Sequence, residues 1–228
     1  YYESSRGCPF SCSYCLSSID KSVRFRNLEL VKKELQTFID EKVPQVKFVD
    51  RTFNANAKRA NEIIKFILEN RGIKIPENVC FHFEIAGDIL RESTLGILSS
   101  MPCGAVQLEI GMQSFNEETL KKINRKTDTE KLIENIKKLI SFNNMHIHID
   151  LIAGLTGEDL KSFRNSFNIG YSLKAHMLQM GFLKLLHGAE MRENSEKYPC
   201  TFGAEPPYEV TSTPCLSAEE IKMLKNCE

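Results

Sequence analysis

No apolar run in this sequence approaches the roughly 20 residues that a membrane span requires, and neither sign of charge is in excess, with 30 Lys plus Arg against 30 Asp plus Glu. The first absence excludes a membrane-spanning helix. The second leaves a formal net charge of zero, with no basic field to gather nucleic acid and no acidic tail. An initiator Met and a secretory signal peptide are also missing, since the chain begins Tyr1-Tyr2-Glu3. These absences predict a cytoplasmic chain that is an internal piece of a longer protein, and they disfavour both membrane and nucleic acid as partners.

What is present is ordinary globular composition, 42% hydrophobic and 26% charged, which argues against disorder, collagen or coiled coil. A chain of 228 residues buries roughly 70% of its unfolded surface on folding, so its core needs neither disulfides nor a structural metal. Eight cysteines stand at positions 8, 12, 15, 80, 103, 200, 215 and 227, three of them within the first fifteen residues. In a chain without secretory features such crowding points to metal or redox chemistry rather than a disulfide framework.

Beyond the cysteine cluster, short runs rich in Val, Ile and Phe alternate with stretches of helical periodicity. Helices are expected around Leu28 to Ile39, Ala60 to Leu68, Leu132 to Ile140 and Leu160 to Tyr171. Strands are expected at 45–50, 79–85, 105–110, 145–152 and 177–185, and a further one just before Cys8 makes six. Strands joined by helical crossovers pair in parallel, which gives a doubly wound sheet or a barrel. Parallel strands covered on both faces should be almost wholly apolar, yet Cys80, His82 and Glu84 share one face, as do Gln107 with Glu109 and His146, His148 with Asp150. The simplest arrangement curls the sheet so that the polar face lines an internal cavity. The predicted fold is therefore α/β, a partial (β/α)6 TIM-like barrel over residues 1–186, with its active site at the C-terminal ends of the parallel strands.

From residue 187 the pattern fails, and 187–228 reads as a C-terminal extension that ends in a helix starting near Ser217. Cys80 and Cys103 are expected to be buried thiols. Cys200, Cys215 and Cys227, spaced by fifteen and twelve residues, match no compact ligand pattern.

The segment Ser5-Arg6-Gly7-Cys8-Pro9-Phe10-Ser11-Cys12-Ser13-Tyr14-Cys15 carries three thiols in eight residues, which span at most about 25 Å even when extended, and Gly7 and Pro9 favour a turn. The sulfurs can converge on one soft metal centre. Zinc would want a fourth ligand, and the next histidine is His82, whereas a 4Fe-4S cluster on three cysteines leaves one iron open. A structural zinc or iron–sulfur binding module remains the alternative.

This loop, with Tyr14 just before the third cysteine, joined to LEIGMQSFNEETLKKINR at 108–125 and HIDLIAGLTGED at 148–159, resembles the radical S-adenosylmethionine (radical SAM) superfamily. The resemblance implies that Cys8, Cys12 and Cys15 ligate a 4Fe-4S cluster. It further implies that S-adenosylmethionine chelates the fourth iron and is reductively cleaved to a 5'-deoxyadenosyl radical that acts on an unidentified substrate. Glu84 is placed to accept from the cofactor's ammonium, Gln113 and Asp150 resemble the family members that hold the ribose, and Arg125 matches a position that pairs with the carboxylate. Gly111 and Gly154 would let backbone approach a ligand, and Tyr14 joins the cofactor-binding set. Where many members carry a GGE-like stretch this chain has Val49-Asp50-Arg51, so Asp50 is the candidate stand-in. Where they carry Gly-Leu-Pro it has Gly154-Leu155-Thr156, which makes Thr156 a candidate helix cap. His82, Gln107, Glu109, His146 and His148 remain to face a polar substrate.

The resemblance extends to members that carry a cobalamin-binding domain upstream of the cluster loop, which makes cobalamin a candidate further cofactor. It also extends to oxygen-independent coproporphyrinogen III oxidases and methylthiotransferases. A one-electron donor such as flavodoxin or ferredoxin is the implied redox partner.

Overall fold

Apolar residues four apart put Val31, Leu35 and Ile39 on one wholly buried stripe of the first helix, and the same spacing recurs in each long helix that follows. The computed structural model describes residues 1–70 and 79–227. Their elements run β1 (Ser5–Arg6), β2 (Arg24–Phe25), α1 (Leu28–Asp40), β3 (Gln45–Lys47), α2 (Ala57–Asn70), β4 (Cys80–Ile85), α3 (Glu92–Ser99), β5 (Val106–Gln113), α4 (Glu117–Lys122), α5 (Thr129–Ser141), β6 (His146–Ala153), α6 (Leu160–Ser172), β7 (Met177–Phe182), α7 (Glu190–Glu193), β8 (Thr201–Phe202), β9 (Val210–Ser212) and α8 (Ala218–Lys225). Asn27, Asp128 and Asp159 cap α1, α5 and α6 by accepting from backbone N–H groups three residues on. The cap of α6 is thus Asp159 and not Thr156, which stands three residues too early.

Strands β3 to β7 form one parallel sheet in the order β3-β4-β5-β6-β7, with helices between them, the architecture of a partial TIM-like barrel. Apolar side chains of one face (Phe81, Phe83, Leu108, Ile110, Ile147, Ile149) are buried against the helices. The opposite face carries the polar residues in rows. The register sets Glu84 beside Glu109 and Glu109 beside His148, with Gly111, Asp150 and Gln179 in the next row towards the strand ends. Lys47 on β3 reaches past β4 to bring its Nζ within 3.4 Å of Glu109 Oε2 on β5, a contact made across the concave side.

The expected sixth strand is reduced to a stub. Residues 5 and 6 pair antiparallel with Arg24–Phe25, because the cysteine loop leaves and returns on itself; only Tyr2 makes a parallel bridge, to Phe48. The carboxylate of Asp50 accepts from Ser4 N, Ser4 Oγ and Ser5 Oγ at 2.7, 2.5 and 2.8 Å and so ties the base of the loop to the sheet. Asp50 is spent on that tether and is 1% exposed, which removes it as a stand-in for the glycine-rich cofactor stretch.

Beyond β7, Lys184 bridges antiparallel to Glu209, and Met191, Tyr198, Val210, Leu216 and Ile221 join the same apolar cluster as the barrel helices. A capping box of Ser217 and Glu220 starts α8 where the sequence placed a helix start. Cys103 is exposed and Cys80 half-buried, contrary to the expectation of two buried thiols; Cys103 lies in the turn at residues 102–104 between α3 and β5 rather than on a helix stripe.

Candidate active site

The cysteine loop is pinned at both ends and from behind. Cys8 N donates to Asp20 O at 3.0 Å, Ser13 N to Ile123 O at 2.9 Å, Met191 N to Ser13 O at 2.9 Å, and Asn124 Nδ2 to Ser11 O at 2.8 Å. At Gly7 φ is +94°, and a Cβ there would collide with the carbonyl oxygen of Ser22, so the turn into Cys8 needs glycine. Cys15 then opens the short turn Leu16–Ser18, whose Ser18 Oγ donates to Cys15 O at 2.6 Å.

The loop roofs a cavity of about 220 Å³ at the C-terminal ends of the strands. Of the sequence candidates for cluster and cofactor, Cys8, Cys12, Tyr14, Cys15, Glu84, Gly111, Gln113, Arg125 and Asp150 line this one cavity, and Asp50 and Gly154 do not. Arg51, Thr52, Ala86 and Glu109 line it too. Sequence reasoning gave Arg51, Thr52 and Ala86 no role. Their signal was faint: Thr52 Oγ1 lies 3.5 Å from Cys8 Sγ, and Asn54 exchanges hydrogen bonds with both backbone groups of Ala86, at 2.8 and 2.9 Å.

Arg125 is half-buried. Its Nη2 donates to Gly111 O at 2.5 Å and its Nη1 to Tyr14 Oη at 3.3 Å, with Cys12 Sγ 3.7 Å away, while Nε has no partner. Both terminal nitrogens therefore face protein atoms, and the N–H donors left over are Nε and the second one of Nη2. Burial raises the Cys12 thiol pKa, and the nearby Arg125 charge opposes the rise. Gln113 sits at φ +69°, where the β5–β6 ladder becomes irregular, and its Oε1 is buried without a partner. A Cβ on Gly111 would strike Gln113 Nε2, so glycine leaves room for that amide to lie over the strand.

Three carboxylates share the floor with opposite tendencies. Contact with the His82 imidazole, 3.0 Å away, holds Glu109 down at about 2 against its own desolvation. Burial, then the charge of Glu109, raises Glu84. Burial pushes Asp150 up to about 7, with Glu109 and Glu84 adding to it. The site thus disfavours a third negative charge and favours a cationic or hydrogen-bonding guest.

His82, one row below Glu84, and His148, in the row of Glu109, are both buried, and His148 Nε2 lies 3.0 Å from Asp150 Oδ1. His146 does not belong with them. Four residues below Asp150, about 13 Å along the strand, it is exposed and lies against His176 with ring centroids 5.2 Å apart. Gly154, at φ +87°, packs against Val210 of the C-terminal segment rather than the cavity.

A family model described as the Radical SAM superfamily matches residues 2–168. The chain belongs to the radical SAM superfamily. It is 32% identical over 111 residues to the oxygen-independent coproporphyrinogen-III oxidase-like protein HemZ of Bacillus subtilis, covering 49% of this chain and 22% of that protein. It is 27% identical over 173 residues to a tRNA-2-methylthio-N(6)-dimethylallyladenosine synthase of Clostridium botulinum, covering 72% and 37%. In fold it is similar to the radical S-adenosylmethionine methyltransferase TsrM of Kitasatospora setae, whose structure holds cobalamin and a [4Fe-4S] cluster. The TM-score is 0.73 at 17% identity, covering 86% of this chain and 39% of that one. The chain therefore spans well under half the length of each.

Membership makes this radical SAM chain an enzyme whose cofactors are a 4Fe-4S cluster and S-adenosylmethionine. The residues present fit both. Three thiols face one cavity, and among the described residues no three His, Cys, Asp or Glu side chains draw close enough to hold a single metal ion. Thiolates are the protein ligands of iron–sulfur clusters, and three of them leave one iron of a 4Fe-4S cluster open. Gln113 Oε1 and Arg125 Nε, buried without a partner at this cavity, are polar atoms that suit a polar guest.

Proposed function

We propose that this chain cleaves S-adenosylmethionine reductively, with Cys8, Cys12 and Cys15 as the protein ligands of the cluster and the cavity beside them as the seat of the nucleoside. The observation that carries the reading is the convergence of those three thiols with Glu84, Gln113, Arg125 and Asp150 on one cavity at the C-terminal strand ends. When bound, cluster and cofactor supply one-electron cleavage of the sulfonium to a 5'-deoxyadenosyl radical.

The chain's own residues bind and orient. Glu84 accepts from the cofactor ammonium, whose positive charge offsets the burial that raises this carboxyl. Arg125 offers Nε and its charge to the carboxylate, while its other nitrogens hold Tyr14 and the strand carbonyl in place. Gln113 and Asp150 take the ribose hydroxyls, where a half-protonated carboxyl near neutrality both donates and accepts. The buried rims of Cys8 and Cys12, 8% and 6% exposed, exclude bulk water from that side. A one-electron donor of flavodoxin or ferredoxin type supplies the electron. For the substrate, the likeness to cobalamin-bound TsrM favours methyl transfer with cobalamin held outside residues 1–228, and the likeness to HemZ supports a coproporphyrinogen oxidase-like reaction as the second reading.

The test is anaerobic reconstitution with iron and sulfide, followed by dithionite and S-adenosylmethionine. Wild type is expected to hold about four irons per chain and to release 5'-deoxyadenosine and methionine; Cys12→Ala is expected to lose both. Colourless protein carrying one zinc would support the binding-module alternative instead.

A further inference from the structure

Behind the Gln113 turn lies a buried carboxyl that no cofactor role uses. Glu158, just before the cap of α6, is 0% exposed. Its Oε1 accepts from Ser114 Oγ at 2.5 Å and from Ser166 Oγ at 3.4 Å, and its Oε2 has no partner. Each of those hydroxyls in turn accepts from the backbone of the turn: Asn116 N donates to Ser114 Oγ at 3.0 Å and Phe115 N donates to Ser166 Oγ at 2.9 Å. A hydroxyl has a single proton to give. Once that proton is directed at Glu158, the lone pairs are left to face the N–H groups of residues 115 and 116, and Asn116 Nδ2 adds a donation to Ser162 Oγ at 2.6 Å on the same helix. The turn so held is the one that keeps Gln113 at φ +69°, a left-handed conformation that persists in a residue other than glycine only where its surroundings over-determine it.

We infer that Glu158 is a positioning residue for S-adenosylmethionine: by accepting from Ser114 and Ser166 it orients the hydroxyls that clamp residues 113–116, and so aims the Gln113 amide into the cavity. The inference rests on the reading of Gln113 as a cofactor partner. Burial pushes the Glu158 carboxyl up to about 7 against the hydrogen bonds from its serines. Charged or neutral, it keeps an oxygen for Ser114, and a glutamine at this position keeps one as well.

The experiment pairs equilibrium dialysis of S-adenosylmethionine against the anaerobically reconstituted chain with amide hydrogen exchange of the cluster-free chain. Glu158→Gln is expected to bind within about threefold of wild type, whereas Glu158→Leu, of similar size but without an acceptor, is expected to bind at least about tenfold more weakly at unchanged iron content. In the cluster-free chain Glu158→Leu is expected to speed exchange at Phe115 and Asn116, and Glu158→Gln to leave it unchanged. Gln113→Ala separates the two readings. If Gln113→Ala leaves affinity unchanged, the cofactor role of Gln113 fails, and with it the purpose assigned to Glu158. If Gln113→Ala weakens binding while folded, iron-loaded Glu158→Leu binds like wild type with unchanged exchange, the positioning role alone is overturned. Should Glu158→Leu fail to fold, the Ser114→Ala/Ser166→Ala double variant removes the same clamp and leaves the carboxyl. About tenfold weaker binding in that variant supports the inference, and wild-type affinity overturns it.

Discussion

Glycine at 111 and glutamine at 113 form a matched pair, because the amide of the second lies over the missing side chain of the first. Gly111→Ala should therefore displace Gln113 and weaken S-adenosylmethionine binding about tenfold, near 1.4 kcal/mol, at unchanged iron content, as dialysis would show; wild-type affinity would mean that Gln113 takes no part. Asp150 gives a pH signature. Its carboxyl sits at about 7 in the folded chain against an ordinary 3.8, so the native state holds a proton that the unfolded chain has released. Stability is then lost as pH rises through that window. Asp150→Asn should raise the urea midpoint over wild type at pH 8 and lose that advantage towards pH 4, whereas an equal shift at both pH values would contradict the assignment. Glu109, held at about 2, works the other way, its contribution being lost only as pH falls below the ordinary 4.5 towards 2. Single residues were legible as far as place goes: the thiols at 8, 12 and 15, the carboxylates at 84 and 150 and the guanidinium at 125 all line one cavity. They were illegible where a side chain serves the backbone. Asp50 reads as a further site acid and Glu158 draws no notice, yet one ties down the chain start and the other bonds serine hydroxyls, and only the folded backbone shows this.

Elements were read from period, and period sees helices and the two faces of a strand but not what pairs with what. The alternation of Glu84 with Phe83 and of Asp150 with Ile149 correctly marked a polar concave face. The same reasoning made residues before Cys8 a sixth parallel strand, whereas the returning cysteine loop offers Ser5–Arg6 a nearer partner in Arg24–Phe25. Holding that short hairpin against the sheet falls to the Asp50 carboxylate with its three donors. Asp50→Ala should cost about 2–4 kcal/mol, since it removes charge-assisted bonds and leaves a buried Ser4 N–H unpaired. It should also shed iron faster under chelator. A loss under about 1 kcal/mol with wild-type iron retention would show that the hairpin holds the loop alone.

At the scale of the molecule, one apolar cluster runs from Tyr2 through the barrel helices to Leu224, so the segment after β7 packs as part of the same body even though its sequence loses the βα rhythm. Among the described residues no helix is long and apolar enough to cross a membrane. The architecture brings the C-terminal strand ends and the cysteine loop together around a single cavity, and the account depends on that cavity admitting a sulfonium nucleoside to an iron that no side chain holds. Pulsed paramagnetic resonance on the reduced, reconstituted chain with S-adenosylmethionine labelled with nitrogen-15 at its amino group tests this most directly. Hyperfine coupling between the cluster and the labelled nitrogen, lost in Cys12→Ala together with the cluster, is the predicted result; a cluster spectrum unchanged by the labelled cofactor would contradict the account.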